Sequence, residues 1–562
     1  MWLACAWLAV GACAPAGAQR RTGARGGAAQ RQEQRQGQRG GADAALLREA
    51  AELMRAGRLA EAEAAARRAA EGSPRDAEAR ALLGLILEQS GRREEAEREL
   101  REALRLDPKS AAALTNLGVL LSQSGREAEA VPLFERALDS SPAYAQAAYN
   151  LAVLYVARKD FARALPHLER LAASGGGAER ADLPLLLTLA DAYARANRGA
   201  EASRVADAVE RRAAADPRVL FTLGLALAGA GGYERAARLF EATNRLRPNT
   251  YEVLYNLGVA LYNLDRLEES ERALRDAASL KGGEPEVFFR LGLVASARGR
   301  GDEALAFWER AASLRAAYPE AYFMMAEELV KSRRGERAVP LYERAVEQDP
   351  AQPVYYTRLG VAHFRARRYR EARATFESAL ARFPRDGALH YLAGYAARAE
   401  GEFDLAAKYF RRALELQPDN APAYANLGFL TVERGQHDEA ERLLRRALAL
   451  DPENFPATYD LGRLLVRLKR YADALPLLER GARLGTRDPG VHYQLFLAYS
   501  RLGRKADADR ELATFKRLEE ARKAADAGGS PMGAAPSEEL PPPETGAPAK
   551  PGTTPGVKPP AR

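Results

Sequence analysis

Residues 421–454 read APAYANLGFLTVERGQHDEAERLLRRALALDPEN, and this stretch decides the fold. Its eighth residue is Gly428, and its twentieth and twenty-seventh residues are Ala440 and Ala447. Large apolar residues recur between them at the spacing of amphipathic helices. Gly435 at position 15 and Pro452 at position 32 interrupt the helical pattern. The segment therefore predicts two antiparallel helices that approach each other closely at the small residues.

The same pattern recurs along the chain with a period of 34 residues. Glycine occupies position 8 in nine repeats, and alanine occupies position 20 in thirteen, with Ser270 in the other. An insertion of four residues near residues 174–180 interrupts the period once. A fixed period of this length is typical of a solenoid of helix–turn–helix units. The fourteen predicted repeats begin at Asp43, Ala77, Ala111, Ala145, Leu183, Pro217, Tyr251, Pro285, Pro319, Pro353, Gly387, Ala421, Phe455 and Pro489.

The composition agrees with an all-α fold. Aromatic residues make up only 7% of the chain, and the strong helix formers Ala, Leu, Arg and Glu dominate it. Position 15 is glycine in eight repeats, which suits a residue of positive φ at the end of the first helix. Position 32 is proline in eight repeats, which ends the second helix. We therefore predict an α-solenoid of fourteen two-helix repeats.

The small residues at positions 8, 20 and 27 and the proline at position 32 resemble the tetratricopeptide repeat family. The resemblance implies a right-handed superhelix in which the first helix of each repeat lines a concave groove. It also implies a role as a scaffold that binds other proteins, without catalysis.

Two parts of the repeat array depart from the pattern. The sequence Ser-Gly-Gly-Gly at 174–177 lies at the inserted junction, which predicts a hinge between repeats 1–4 (residues 43–182) and repeats 5–14 (residues 183–525). The second helix of the last repeat runs on as a charged stretch through Lys523, which suits a polar cap on the end of a solenoid.

Both ends of the chain differ from the repeats. Residues 1–18 resemble an export signal with cleavage after Ala18, and this predicts a periplasmic or outer-membrane-associated protein. The alternative is a lipoprotein signal with a lipid anchor at Cys13. No basic residue precedes the apolar stretch, which a start codon assigned too far downstream would explain. Residues 19–42 form a basic linker, and residues 526–562 are proline-rich, which predicts a disordered tail.

Charge and residue content argue against several function classes. Most of the net charge of +8 lies in residues 19–42, so the repeats lack the basic bias of a nucleic-acid-binding domain. Cysteines occur only at Cys5 and Cys13, and the five histidines are dispersed. We therefore expect no catalytic residue, metal site or cofactor. No apolar run is long enough for a transmembrane helix.

The first helices carry the candidate binding residues. The resemblance places positions 2, 5, 6, 9, 12 and 13 in the groove, where asparagine at position 6 can hold a peptide backbone through its amide. Aromatic residues at position 5 and apolar residues at position 9 suit an extended peptide or a helix. The same residues are common in the family's average repeat, so a purely structural role is the alternative. The predicted site residues are Asn116, Asn150, Asn256, Asn426, Tyr149, Tyr255, Phe289, Tyr391 and Tyr459.

Two functions are compatible with these sequence features. The first is a scaffold or adaptor that binds protein partners in the groove. The second is a substrate-recognition arm that works with a separate glycosyltransferase or with envelope polysaccharide-export machinery.

Overall fold

A computed structural model describes residues 44–177, 179–485 and 487–527. These residues form 28 α-helices and one 3₁₀ turn, and they contain no β-strand. The predicted all-α fold is therefore confirmed. The predicted signal and basic linker lie outside the described residues, as does the proline-rich tail beyond Ala527.

The first of two compact units covers residues 44–280 and contains seven helix pairs. From α3 onward the first helix of each pair has 13 residues and the second has 14, and the two pack against each other. The helices are α1 (44–55), α2 (Leu59–Gly72), α3 (Ala77–Gln89), α4 (Arg93–Leu106), α5 (Ala111–Gln123), α6 (Glu127–Ser140), α7 (Ala145–Ala157), α8 (Phe161–Ser174), α9 (Leu183–Arg195), α10 (Gly199–Arg212), α11 (Pro217–Gly229), α12 (Tyr233–Leu246), α13 (Tyr251–Asn263) and α14 (Leu267–Leu280).

The second unit contains the described residues from 281 to 527, again in seven pairs. A 3₁₀ turn, η1 (Gly335–Ala338), opens the second helix of one pair. The helices are α15 (Pro285–Ala297), α16 (Gly301–Leu314), α17 (Pro319–Lys331), α18 (Val339–Gln348), α19 (Pro353–Arg365), α20 (Tyr369–Arg382), α21 (Gly387–Glu400), α22 (Phe403–Leu416), α23 (Ala421–Glu433), α24 (His437–Leu450), α25 (Phe455–Arg467), α26 (Tyr471–Leu484), α27 (Pro489–Arg501) and α28 (Lys505–Ala527).

The helix boundaries follow the predicted repeat register. Every first helix from α3 to α27 begins at the residue predicted to open its repeat, and every second helix or its 3₁₀ turn begins at position 17. Capping side chains contribute to the first boundary. Asp76, for example, accepts hydrogen bonds from the backbone N–H groups of Glu78 and Ala79.

The small residues lie at the contact between the two helices of a repeat. All thirteen alanines at position 20 are at most 3% exposed. Ser270, the exception, donates a hydrogen bond from its hydroxyl to the carbonyl oxygen of Gly258 at 2.7 Å, so its buried polar group is satisfied. Glycine at position 8 faces the large residue at position 24. A methyl group on Gly118 would lie 2.7 Å from the ring of Phe134.

Position 15 adopts a positive φ in all fourteen repeats, including six without glycine. The backbone N–H of position 16 donates to the carbonyl oxygen of position 11, as from Arg92 to Leu87 at 2.9 Å. This bond closes the C-terminal turn of the first helix and requires the left-handed conformation at position 15. The positive φ predicted from glycine at position 15 is therefore confirmed, and it extends to six repeats that have another residue there. The six other residues, with φ between 58° and 62°, are Lys159, Asn197, Asp265, Arg333, Arg367 and Lys469.

The inserted junction lies inside the first unit. Helix α8 ends at Ser174 and α9 begins at Leu183. Leu168 and Leu186, on either side of the junction, belong to one buried cluster. The boundary between the compact units instead follows Leu280. The hinge at the junction therefore stays a prediction.

The last described helix, α28, is longer than the other second helices, with 23 residues. It passes Lys523 and continues to Ala527, so it includes the first two residues of the predicted tail. Helix propensity explains the difference, because the alanine-rich end of α28 contains neither proline nor glycine. No helix among the described residues has the length and apolar character needed to cross a membrane.

The outward surface of the second helices carries ion pairs between consecutive repeats. Arg92 at position 16 contacts Glu95 of its own repeat and Glu63 of the preceding repeat, each at 2.5 Å. Arg126 contacts Glu129 and Glu97 in the same way. These pairs are solvent-accessible, so each contributes little to stability.

Candidate functional site

Ligand binding is predicted on the side chains at positions 2, 5, 6, 9, 12 and 13 of the first helices. We call this surface the first-helix face. Helices α3 to α13 carry it in the first unit, and helices α15 to α27 carry it in the second.

Three predicted asparagines lie on this face in the first unit. The Nδ2 atom of Asn256 donates a hydrogen bond to the carbonyl oxygen of Glu252 at 2.7 Å, which holds the amide against its own helix. The Nδ2 atom of Asn150 is buried without a hydrogen-bond acceptor. Asn116 is half-buried. Asn150 is therefore the amide with the clearest unused donor capacity.

The predicted tyrosines of the first unit contact neighbouring side chains. The hydroxyl of Tyr149 lies 3.4 Å from Oγ1 of Thr188 in the next repeat. Tyr255 is 8% exposed and stacks on Tyr251 with ring centroids 5.9 Å apart. Position 5 therefore contributes to packing, and Tyr255 does not present a ring face to solvent.

Position 9 supplies apolar surface on the first-helix face of the first unit. Val119, Val153 and Val259 are half-buried, and Leu225 is 39% exposed. Asp191 breaks this apolar series. Burial raises the pKa of its carboxyl group, which accepts a hydrogen bond from Arg195 at 2.7 Å.

In the second unit, Asn426 and Phe289 also have partners within the protein. Nδ2 of Asn426 donates to the carbonyl oxygen of Pro422 at 2.9 Å, whereas its Oδ1 atom is buried without a donor. Phe289 stacks on Tyr318 with ring centroids 5.2 Å apart. The amide oxygen of Asn426 thus keeps an unused acceptor.

The remaining predicted aromatics are largely buried. Tyr391 is 7% exposed and contacts Phe410, and burial raises the pKa of its hydroxyl. Tyr459 is half-buried and stacks on Phe455. Tyr493 in α27, the last first helix described, is 41% exposed. The aromatic residues at position 5 therefore serve mainly the contacts between helices.

The sequence reading missed an arginine–phenylalanine cluster on the second unit. Phe429 at position 9 of α23 lies between Arg398 of α21 and Arg463 of α25. The guanidinium carbons are 5.5 Å and 5.6 Å from the ring centroid, which is within the range of cation–π attraction. Arg463 also donates a hydrogen bond to Glu433 at 3.0 Å.

Asp460 lies next to this cluster at position 6 of α25. Its Oδ1 atom is 3.3 Å from the guanidinium group of Arg463. Burial raises the pKa of the Asp460 carboxyl group to about 6, although Arg463 and Arg398 favour its charged form. No pattern within one repeat reveals this arrangement, because its residues come from three different repeats. They are Arg398 at position 12, Phe429 at position 9, Arg463 at position 9 and Asp460 at position 6.

The described residues contain no group of three or more His, Cys, Asp or Glu side chains placed to hold a metal ion. Burial lowers the pKa of His167 and of His363. The side chains on the first-helix face of each unit provide hydrogen-bonding groups, apolar contact and charge. These are the elements of a binding surface.

Comparison with solved structures gives similarity to other helical proteins. MamA 41-end from Desulfovibrio magneticus RS-1 is 21% identical, with 30% of this chain and 96% of that chain covered and a TM-score of 0.28. Yeast Tom70 is 17% identical, with 76% and 96% covered and a TM-score of 0.31. A chain of the APC/C hetero-tetramer Cut9-Hcn1 is 14% identical, with 81% of this chain and 96% of that chain covered and a TM-score of 0.32. No curated protein matches the sequence.

Three family models, each described as tetratricopeptide repeat, match the sequence itself. Together they extend over more than half of the chain. The first matches residues 47–111, 88–145, 221–285, 323–369 and 357–421, the second 121–183, 397–446 and 431–493, and the third 285–310. With the repeat register observed in the helices, these matches show that the chain belongs to the tetratricopeptide repeat family.

Proposed function

We propose that this protein is a non-catalytic interaction scaffold that binds an extended peptide or a helix of a partner protein on its first-helix face. The observation that carries the proposal is the apolar series at position 9 of the first unit. Val119, Val153 and Val259 remain half-buried there, and Leu225 is exposed. These residues leave apolar surface in contact with water that a partner would cover.

Hydrogen bonds would add specificity to this apolar contact. Asn150 lies on the same face, and its buried Nδ2 has no acceptor; rotation of this half-buried side chain would bring the donor to the backbone of a bound ligand. Because the amide of Asn256 already has an acceptor and that of Asn150 does not, Asn150 is the better candidate for a hydrogen bond to a ligand. The buried Tyr255 is not suited to testing binding, because its replacement would alter the packing.

Replacing Leu225 with aspartate is expected to weaken partner binding by about tenfold, because the ligand would lose apolar contact with the leucine and would have to cover a charged carboxylate instead. Leu246→Asp is the matched control. Leu246 is 46% exposed and ends the second helix of the same repeat, away from the first-helix face. Partners would be captured from a bacterial envelope extract by the full chain and by both variants, and their bound amounts would be compared.

Equal retention of partners by wild type and Leu225→Asp would contradict the proposal. So would equal losses in the two variants. A photo-crosslinking residue at position 225 would then identify what touches the face directly. A glycosyltransferase or a polysaccharide-export protein among the cross-linked partners would favour the recognition-arm function.

We also propose that the protein is exported, with cleavage after Ala18 or lipidation at Cys13. The support is the apolar segment and the small residues that precede Ala18 in the sequence. Expression of the full chain in a Gram-negative host, followed by fractionation and mass measurement, is expected to give a processed envelope protein. Cys13→Ser leaves the product unchanged if cleavage follows Ala18 and abolishes processing if Cys13 is lipidated. An unprocessed cytoplasmic chain would refute export.

A further inference from the structure

We propose that the contact between α18 and α19 is sensitive to pH and weakens when the buried imidazole of His363 takes up a proton in mildly acidic solution. Helix α18 is the second helix of repeat 9 and α19 is the first helix of repeat 10, so this contact joins two successive repeats. The effect is on the packing of the second unit, and it does not depend on the proposed binding function.

Tyrosine at position 11 forms a recurring bond between successive repeats elsewhere in the chain. Three repeats have this tyrosine, and in each case the preceding repeat has glutamate at position 25. The tyrosine hydroxyl donates a hydrogen bond to that glutamate, and an arginine guanidinium group lies over the tyrosine ring. The three pairs are Tyr155 with Glu135 at 2.8 Å, Tyr193 with Glu169 at 2.9 Å and Tyr499 with Glu479 at 2.7 Å.

His363 occupies the same place in repeat 10. It stands at position 11 of α19, with Glu343 at position 25 of the preceding repeat and Arg368 at position 16 of its own. His363 is 7% exposed, which equals the burial of the tyrosines. An imidazole is shorter than a phenol, however, and Nδ1 of His363 is buried without a hydrogen-bond partner. The histidine therefore fills the tyrosine site but leaves a buried polar atom unsatisfied.

The charged side chains that act on the imidazole come from α18 and α20, which pack against α19, and from the turn after α19. The two glutamates favour the protonated ring, and the arginine disfavours it. The charged residues of η1, which also contacts α19, are exposed to solvent. These groups are Glu343 of α18, Arg368 after α19, Glu371 of α20, and Glu336 and Arg337 of η1.

Burial determines which form of the ring the folded chain holds. It lowers the pKa of His363 below the 6.5 of an exposed imidazole, because the charged ring is poorly solvated at this site. When the contact opens, the ring is exposed to water and binds a proton more readily. The stability of the closed contact is therefore complete above about pH 6.5, and part of it is lost as the pH falls below that value and through the folded pKa.

Hydrogen exchange of the full chain, measured by mass spectrometry at about pH 7.5 and about pH 5.5, tests this proposal. After correction for the intrinsic exchange rates, we expect protection of α18 and α19 to fall severalfold at the lower pH. The loss cannot exceed about tenfold, because the lower pH lies about one unit below the pKa of the exposed ring. Helices α5 and α6 of the first unit serve as the reference for changes that affect the whole chain.

His363→Tyr recreates the pair found in the three other repeats and is expected to remove the loss of protection, since a phenol does not titrate in this range. His363→Leu replaces it if circular dichroism shows that tyrosine disturbs folding, because Leu261 and Leu329 occupy position 11 of their repeats. The control is His437→Gln, which removes a histidine of α24 and should keep the wild-type loss. Unchanged or increased protection of α18 and α19 at the lower pH, or the same loss in the His363 and His437 variants, would overturn the proposal.

Discussion

Replacing Trp308 with alanine is expected to lower the free energy of unfolding by about 3–5 kcal/mol, the range for removal of a large buried aromatic side chain. Trp308 is fully buried in α16, and its Nε1–H donates to the carbonyl oxygen of Phe289 at 3.2 Å. Its indole ring fills the space above Gly292 of α15, so truncation leaves a cavity between the two helices.

Gly292→Ala makes the complementary change. A methyl group at Gly292 would overlap the indole ring, and we expect overpacking to cost about 1–3 kcal/mol. In the double variant the methyl group enters the cavity left by the indole. The two losses should therefore be less than additive, with a coupling energy of about 1 kcal/mol or more.

Urea denaturation of the full chain gives the free energies, and hydrogen exchange reports whether protection falls first in α15 and α16. The control is Phe403→Ala, because Phe403 is 47% exposed on α22 and its loss should change stability far less. A loss below about 1 kcal/mol for Trp308→Ala, or strict additivity with Gly292→Ala, would show that the two positions are not packed as described.

The fold was predictable because the two helices of every repeat pack against each other at the same positions. Alanine at position 20 and glycine at position 8 have visible sequence signatures, since only small side chains fit where the helices approach. The turn at position 15 is set by a backbone hydrogen bond, so Lys159 and Arg367 adopt the same positive φ as glycine. Residue type alone does not reveal such positions.

The candidate site was less predictable for a physical reason. Reading one repeat at a time identifies position 5 as aromatic, but the burial of Tyr255 and Tyr391 depends on what packs beside them. The cluster of Arg398, Phe429 and Arg463 exists only because three repeats are stacked. Contacts between repeats depend on how neighbouring repeats stack and on the rotamers of their side chains. The pattern within one 34-residue repeat specifies neither.

Replacing Asp460 with asparagine is expected to stabilise the protein by about 1–3 kcal/mol above pH 7. Burial raises the pKa of this carboxyl group from 3.8 to about 6, which means that its charged form is unfavourable in the folded chain. Asparagine keeps the shape and removes the charge. Arg463 retains Glu433 as its partner, so the loss of the contact with Asp460 offsets only part of the gain.

The pH dependence gives this prediction its sign. Because the pKa of Asp460 is higher in the folded than in the unfolded chain, its stabilising contribution is complete below about pH 4 and is lost as the pH rises through about 6. The advantage of Asp460→Asn should therefore appear between about pH 4 and pH 7 and stay constant above that range. Thermal unfolding of both proteins across this range measures the difference, with Glu433→Gln as the control for a more exposed partner of Arg463. A variant that is less stable than wild type at pH 8 would contradict this prediction. It would show that the contact between Asp460 and Arg463 stabilises the fold by more than burial of the charged carboxylate destabilises it.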